Sequence, residues 1–189
     1  MQQDVELGIV QIVDIALRAI SPAINDPTTA ISSVDQLSSI LIRWVSRAPP
    51  QGLYYDPPHA LRVIVPWIGL DGLLDLAFEQ IRHDSISDAA VSLRLMRALG
   101  DISSATSDAA VRKRLFERGT RVIDGCAGRI QEFDLARLRA RLQRLEAALS
   151  EGARAAVSRG PRQTFSSARR PASASAAPPR LPRSAPWPP

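Results

Sequence analysis

An all-α fold follows from three features of the first 150 residues. Apolar side chains recur at helical spacing in six successive stretches. Pro, Asp, Asn and Ser punctuate the gaps, where helices must stop and restart. Strand character is confined to one short segment near residues 53–65. The sequence therefore predicts a bundle of about six helices over residues 1–150, with a small β-hairpin excursion. A disordered tail is expected over residues 151–189.

The first helix is apolar almost all round, through Ile9, Val10, Ile12, Val13, Ile15, Leu17 and Ile20. Its polar residues, Asp4, Gln11, Asp14, Arg18 and Ser21, fall on one narrow stripe. A helix with so little wet face is expected to be mostly surrounded by protein. Asp14 and Arg18 stand four apart in the favoured order for a helical ion pair. If exposed, such a pair contributes about 0.3–0.5 kcal/mol; if buried, it chiefly penalises loss of either partner.

Pro22 lacks a backbone donor and collides with the preceding turn, so the first helix ends near Ile20 or Ser21. Asn25 and Asp26 are N-cap candidates, and Pro27 suits the first turn of a second helix over about residues 27–44. Ile31, Val34, Leu37, Ile40, Leu41 and Val45 form its apolar face. Two readings of this elbow stay open: a rigid helix–helix corner, or a polar site on which Asp14, Arg18, Asn25 and Asp26 converge. Asp26 at the cap would repel an anion, which argues against a phosphate site there.

The run QIVDIALRAISPAINDPTTA, residues 11–30, resembles the signature of a bacterial family of predicted membrane proteins, domain of unknown function family 2254. Gln3, Asp4 and Gly8 are similar to that family's lead-in. The likeness extends over about residues 3–150 and is strongest over 11–37. It implies a soluble helical part that follows several transmembrane helices, so this chain is expected to be the C-terminal piece of such a protein. It further implies membrane association, on the cytoplasmic side, through a region that this chain lacks. The family supplies no activity to carry over.

Residues 48–66 hold too many prolines for a helix. Leu53, Tyr54 and Tyr55 can pair with residues 61–65, and a lone hairpin is marginal, so it is expected to pack on the helices. His59 in this loop reads as a surface residue. The third helix, about residues 67–83, sets Leu70, Leu73, Leu74, Ala77, Phe78 and Ile81 on one face. Opposite them Asp71, Asp75, Glu79 and His83 follow at four-residue spacing. Carboxylates and a histidine on one face can ligate a metal. One helix cannot enclose an ion, however, and an acidic row opposite an apolar one is what a solvated face looks like; no metal site is expected.

The fourth helix, about residues 87–103, turns Val91, Leu95, Met96, Leu99 and Ile102 inward and Arg94 and Arg97 outward. The fifth, about 108–130, is the most basic, with Arg112, Lys113, Arg114, Arg118 and Arg121; such a face is either solvated or turned to anionic lipid. Cys126 lacks a partner histidine and reads as a small packed residue. The sixth, about 134–150, places Leu135, Leu138, Leu142, Leu145 and Leu149 on a heptad seam that closes the bundle or forms a dimer.

Charge separates the two parts. Residues 1–150 carry 17 basic and 18 acidic side chains, whereas residues 151–189 hold seven Arg, one Glu and eight Pro. The helical part thus has no electrostatic footprint for nucleic acid. A single cysteine, two histidines and no phosphate-binding glycine loop leave little for catalysis, and no cofactor is expected. The sequence favours a structural or regulatory helical domain over an enzyme. A free-standing cytosolic protein-interaction module, with the Leu135–Leu149 seam as its contact, is the alternative; a carboxylate-based metal-binding enzyme stands behind both.

Overall fold

The computed structural model describes residues 5–47, 52–56, 60–65 and 67–158, with side chains as far as residue 150. The reading of His59 as a surface residue and the tail beyond residue 158 lie outside the described residues.

Helix α1 spans Val5–Ile20 and α2 spans Pro27–Val45. The corner between them is made by backbone geometry. The Asn25 N–H donates to the Ser21 carbonyl at 2.9 Å, and the Asp26 N–H donates to the Ala19 carbonyl at 2.8 Å. Asn25 turns the chain at φ +49°, a left-handed conformation that Asn tolerates better than most residues. Asp26 then caps α2. Its Oδ1 accepts from the backbone N–H groups of Thr28 (3.0 Å) and Thr29 (3.2 Å), and its Oδ2 accepts from the Thr29 hydroxyl. These bonds, that of the Thr29 hydroxyl first, hold the Asp26 carboxyl below its ordinary value. Pro27 opens the helix, where its missing N–H costs nothing.

Strands β1 (Leu53–Asp56) and β2 (Ala60–Ile64) pair antiparallel, with Leu53 opposite Ile64 and a bulge between Tyr54 and Tyr55. Helix α3 follows in three consecutive spans: Leu70–Leu74 as α-helix, Asp75–Glu79 as a π turn, and Gln80–Asp84 as α-helix again. Helices α4 (Ala89–Ser104) and α5 (Ala109–Cys126) each begin on an aspartate. Asp88 and Asp108 accept from the two backbone N–H groups beyond them. Helix α6 covers Glu132–Ser158.

The core is built around α4, which packs on α2, α5 and α6. Val91, Leu95, Met96, Leu99 and Ile102 are all but fully buried there. Burying a side chain of this size contributes roughly 1.5–3 kcal/mol. Helix α1 lies against α2 and α3. On α6, Leu135, Leu138 and Leu145 are buried and Leu142 and Leu149 partly so. The leucine seam therefore closes the bundle on α4 and α5. Gly119 of α5 lets this happen, because a Cβ there would lie 2.9 Å from Leu142 Cδ1. Cys126 is buried as a packed residue, its Sγ 3.3 Å from the Ser92 hydroxyl.

Four expectations need correction. Helix α1 buries only Ile9, Val13, Ala16 and Ala19, and leaves Leu7, Val10 and Ile15 exposed beside the polar stripe. The hairpin does not pack on the helices; every described residue of both strands is exposed. Helix α5 stops at Cys126, short of residue 130, because Gly128 takes φ +73° in the turn that follows. Helix α6 runs on to Ser158, through an alanine-rich stretch of strong helix formers, so order does not end at residue 150.

Candidate functional site

Asp14 and Arg18 are both exposed, and among the described residues neither makes an ion pair, so the buried pair is not formed. No hydrogen bond among the described residues joins either side chain to Asn25 or Asp26. Asn25 shapes the turn, and Asp26 is occupied in capping. At this elbow the backbone forms a helix–helix corner.

The acidic row of α3 and the basic row of α5 prove to be each other's partners. Asp71 pairs with Arg114 at 3.0 Å and with Arg118 at 3.5 Å. Asp75 pairs with Arg118 at 2.6 Å, and Glu79 lies 3.9 Å from Arg121 and 2.6 Å from Arg82. The chain order 71, 75, 79 against 114, 118, 121 makes the two helices parallel. Positions four apart drift by about 40° around an ordinary α-helix. The π turn, with its extra residue, winds part of that drift back and keeps the row facing α5.

Arg118 is the buried centre of this ladder, with a side chain only 10% exposed. It also donates from Nη2 to the Asp71 carbonyl at 3.1 Å. Hydrogen bonding from Arg82, then the charges of Arg82, Arg121 and Arg118, outweighs partial burial and holds the Glu79 carboxyl below its ordinary value. The acidic row is thus half-exposed, as a solvated face is, and at the same time paired across to α5. Asp71, Asp75 and Glu79 are committed to arginines, and His83 is exposed. Among the described residues no group of three or more His, Cys, Asp or Glu is placed to hold a metal ion. The basic residues of α5 are likewise engaged. Arg112 donates to the carbonyls of Thr106 and Ala148, and Lys113 lies 3.9 Å from Glu117.

Among the described residues, a set of exposed apolar side chains gathers at the hairpin. The hairpin exposes Leu53, Tyr54, Tyr55, Leu61, Val63 and Ile64, and Trp67 follows it, 51% exposed. Neighbouring strand residues point to opposite faces, yet Val63 and Ile64 are 50% and 65% exposed, so both faces are bare. The start of α1 lies at the same end of the bundle. The elbow closes the α1–α2 pair at the far end, and Glu6 borders a groove with Ile68 and Gly72 at the start of α3. Val5 and Leu7 are exposed there. Sequence reasoning placed the hairpin but missed this surface. The absence of a polar alternation in residues 61–64 apart from Arg62 was the available signal.

Residues 1–101 match a protein family described as predicted membrane protein, domain of unknown function 2254. Uncharacterized proteins of Mycobacterium bovis and of two strains of Mycobacterium tuberculosis are each 37% identical to this chain over 103 residues. That stretch is 54% of this chain and 20% of each relative, so the chain matches about a fifth of their length. No solved structure matches the chain. Among the described residues, no helix is long and apolar enough to cross a membrane. The elbow, both of its helices, the hairpin, the acidic row and most of α4 fall inside the matched residues, and the chain belongs to the family of predicted membrane proteins designated domain of unknown function 2254.

Proposed function

We propose that this chain is a non-catalytic, structural or regulatory helical domain that works against a membrane, with the hairpin as its contact. The observation that carries this reading is the two-sided exposure of an aromatic and aliphatic hairpin. A groove on a protein partner covers one face of a two-stranded ribbon, whereas the interfacial zone of a bilayer surrounds both. Tyr54, Tyr55 and Trp67 have apolar bodies and polar tips, the type of side chain that gathers at headgroup level. Arg62 is neutralised by Asp56 at 2.8 Å, which lowers the cost of bringing this strand to an apolar phase. The family's description as predicted membrane proteins agrees with this assignment.

The test is co-sedimentation of the full chain with phosphatidylcholine vesicles, whose zwitterionic surface isolates apolar contact from charge. The wild type is expected to pellet with the vesicles, and the double variant Tyr55→Ser/Ile64→Ser to stay in solution with an unchanged melting temperature. Failure of the wild type to bind sinks the proposal. Concentration-dependent dimers abolished by the same double variant, without vesicle binding, would transfer the surface to self-association.

A further inference from the structure

Helices α4 and α6 run side by side in the same direction, since Ala89 and Ala90 line their groove with Asp134 at one end, and Ser104 lines it with Ala148 at the other. The first part of the groove is a cleft of about 440 Å³ bordered by Arg94, Arg97, Arg137 and Arg141. It continues past Arg97 and Arg141 into a second cleft of about 380 Å³ that adds Arg144. Five guanidinium groups thus border one continuous groove.

Their counter-ions are too few. Arg94 pairs with Asp35, Arg137 with Asp134 at 3.1 Å, and Arg97 with Asp101 at 3.6 Å. Among the described residues, Arg141 and Arg144 have no carboxylate in ion-pair range. Arg141 donates from Nη1 to the Leu93 carbonyl at 2.5 Å, which leaves most of its five donors unspent. Burial first, and then the charges of Arg137, Arg97, Arg144 and Arg94, pull its guanidinium below its ordinary value. A partly buried cation surrounded by like charge destabilises the fold unless an anion offsets it. Asp88 already caps α4, so the arginines, and not the helix terminus, are the anion-attracting element.

We propose that the α4–α6 groove binds a phosphate-bearing anion, held by Arg97, Arg141 and Arg144. Five arginines against three aspartates leave two positive charges, which a phosphate dianion balances. Planar guanidinium forks match phosphate oxygens in pairs. The phosphate can come from a soluble phosphate ester or from the headgroup of an acidic phospholipid. This site is separate from the hairpin and does not depend on it.

The test uses the full 189-residue chain with two probes. Sodium pyrophosphate is titrated against sodium chloride of equal ionic strength while melting is followed. Vesicles of phosphatidylcholine with phosphatidic acid are used for co-sedimentation. The variants are Arg141→Gln and the more exposed Arg97→Gln. Arg139→Gln serves as control, since Arg139 pairs with Glu132 outside the groove and the control has the same net charge as the variants. A rise in melting temperature with pyrophosphate is expected, with affinity reduced roughly tenfold or more in both groove variants and retained in the control. That outcome assigns a soluble phosphate ligand. Binding to phosphatidic acid vesicles with the same variant dependence, and no response to pyrophosphate, assigns a lipid headgroup. No response of the wild type to either probe overturns the proposal, as does equal loss in Arg139→Gln. Should Arg141→Gln fail to fold, Arg97→Gln decides.

Discussion

Two pairs of parallel helices in this bundle carry arginines between them, and they differ in what the arginines meet. Between α3 and α5, Arg114, Arg118 and Arg121 face Asp71, Asp75 and Glu79, and the charges close on each other. Between α4 and α6, Arg97, Arg141 and Arg144 face one another, and among the described residues only Asp101 answers them. The first interface is internally neutral and is read as structure. The second holds surplus charge and is read as a place for a ligand. A row of arginines on one helix therefore carries no functional meaning until the opposite row is known.

The largest effect is expected from breaking the neutral interface. Arg118→Ala should destabilise the chain by roughly 2–4 kcal/mol, from loss of a buried cation and of its packed stem. The lower part of that range applies because Asp71 and Asp75 are about half exposed and can be rehydrated. Chemical denaturation of variant and wild type measures it, and a loss below about 0.5 kcal/mol would place Arg118 with ordinary surface residues.

A smaller effect probes the α3–α5 interface by pH. The folded-state value of the Glu79 carboxyl lies below its ordinary 4.5. Its contribution is therefore complete above pH 4.5 and is lost as pH falls through the lower, folded value. Melting temperature against pH should fall through that window in the wild type, and less steeply in Glu79→Gln. Equal slopes in both proteins would remove Glu79 from the ladder's stabilising role.

Smallest is the effect at Asp14, where the sequence offers an ion pair that the fold does not use. Asp14→Ala should change stability by no more than about 0.5 kcal/mol, as for an exposed side chain without a partner. A loss of several times that size would restore the buried pair with Arg18.

These cases show which signals were local. Asp26 was readable as a cap because a cap is decided within three residues of chain, and Asp88 and Asp108 cap α4 and α5 in the same local way. Apolar periodicity gave the six helices, and the run of tyrosine and β-branched residues between prolines gave the hairpin, for the same reason. The acidic row on α3 was equally legible as a row, but its partners lie about forty residues away, and a solvated face and a paired face have the same sequence. The arginine groove was hidden in the same way. Arg94 and Arg97 were assigned outward, Arg141 lies on a helix about forty residues further along the chain, and only packing brought them together.

Sequence alone determined the helices, the Asp26 cap, the proline elbow and the family to which the chain belongs, because each is written in short-range spacing or in a contiguous motif. Tertiary structure decided which charged rows meet, that the leucine seam is buried, and that the hairpin stands bare on both faces. Those are properties of long-range neighbours, and in a folded chain the energy of a charge or an apolar side chain is set by what packs against it.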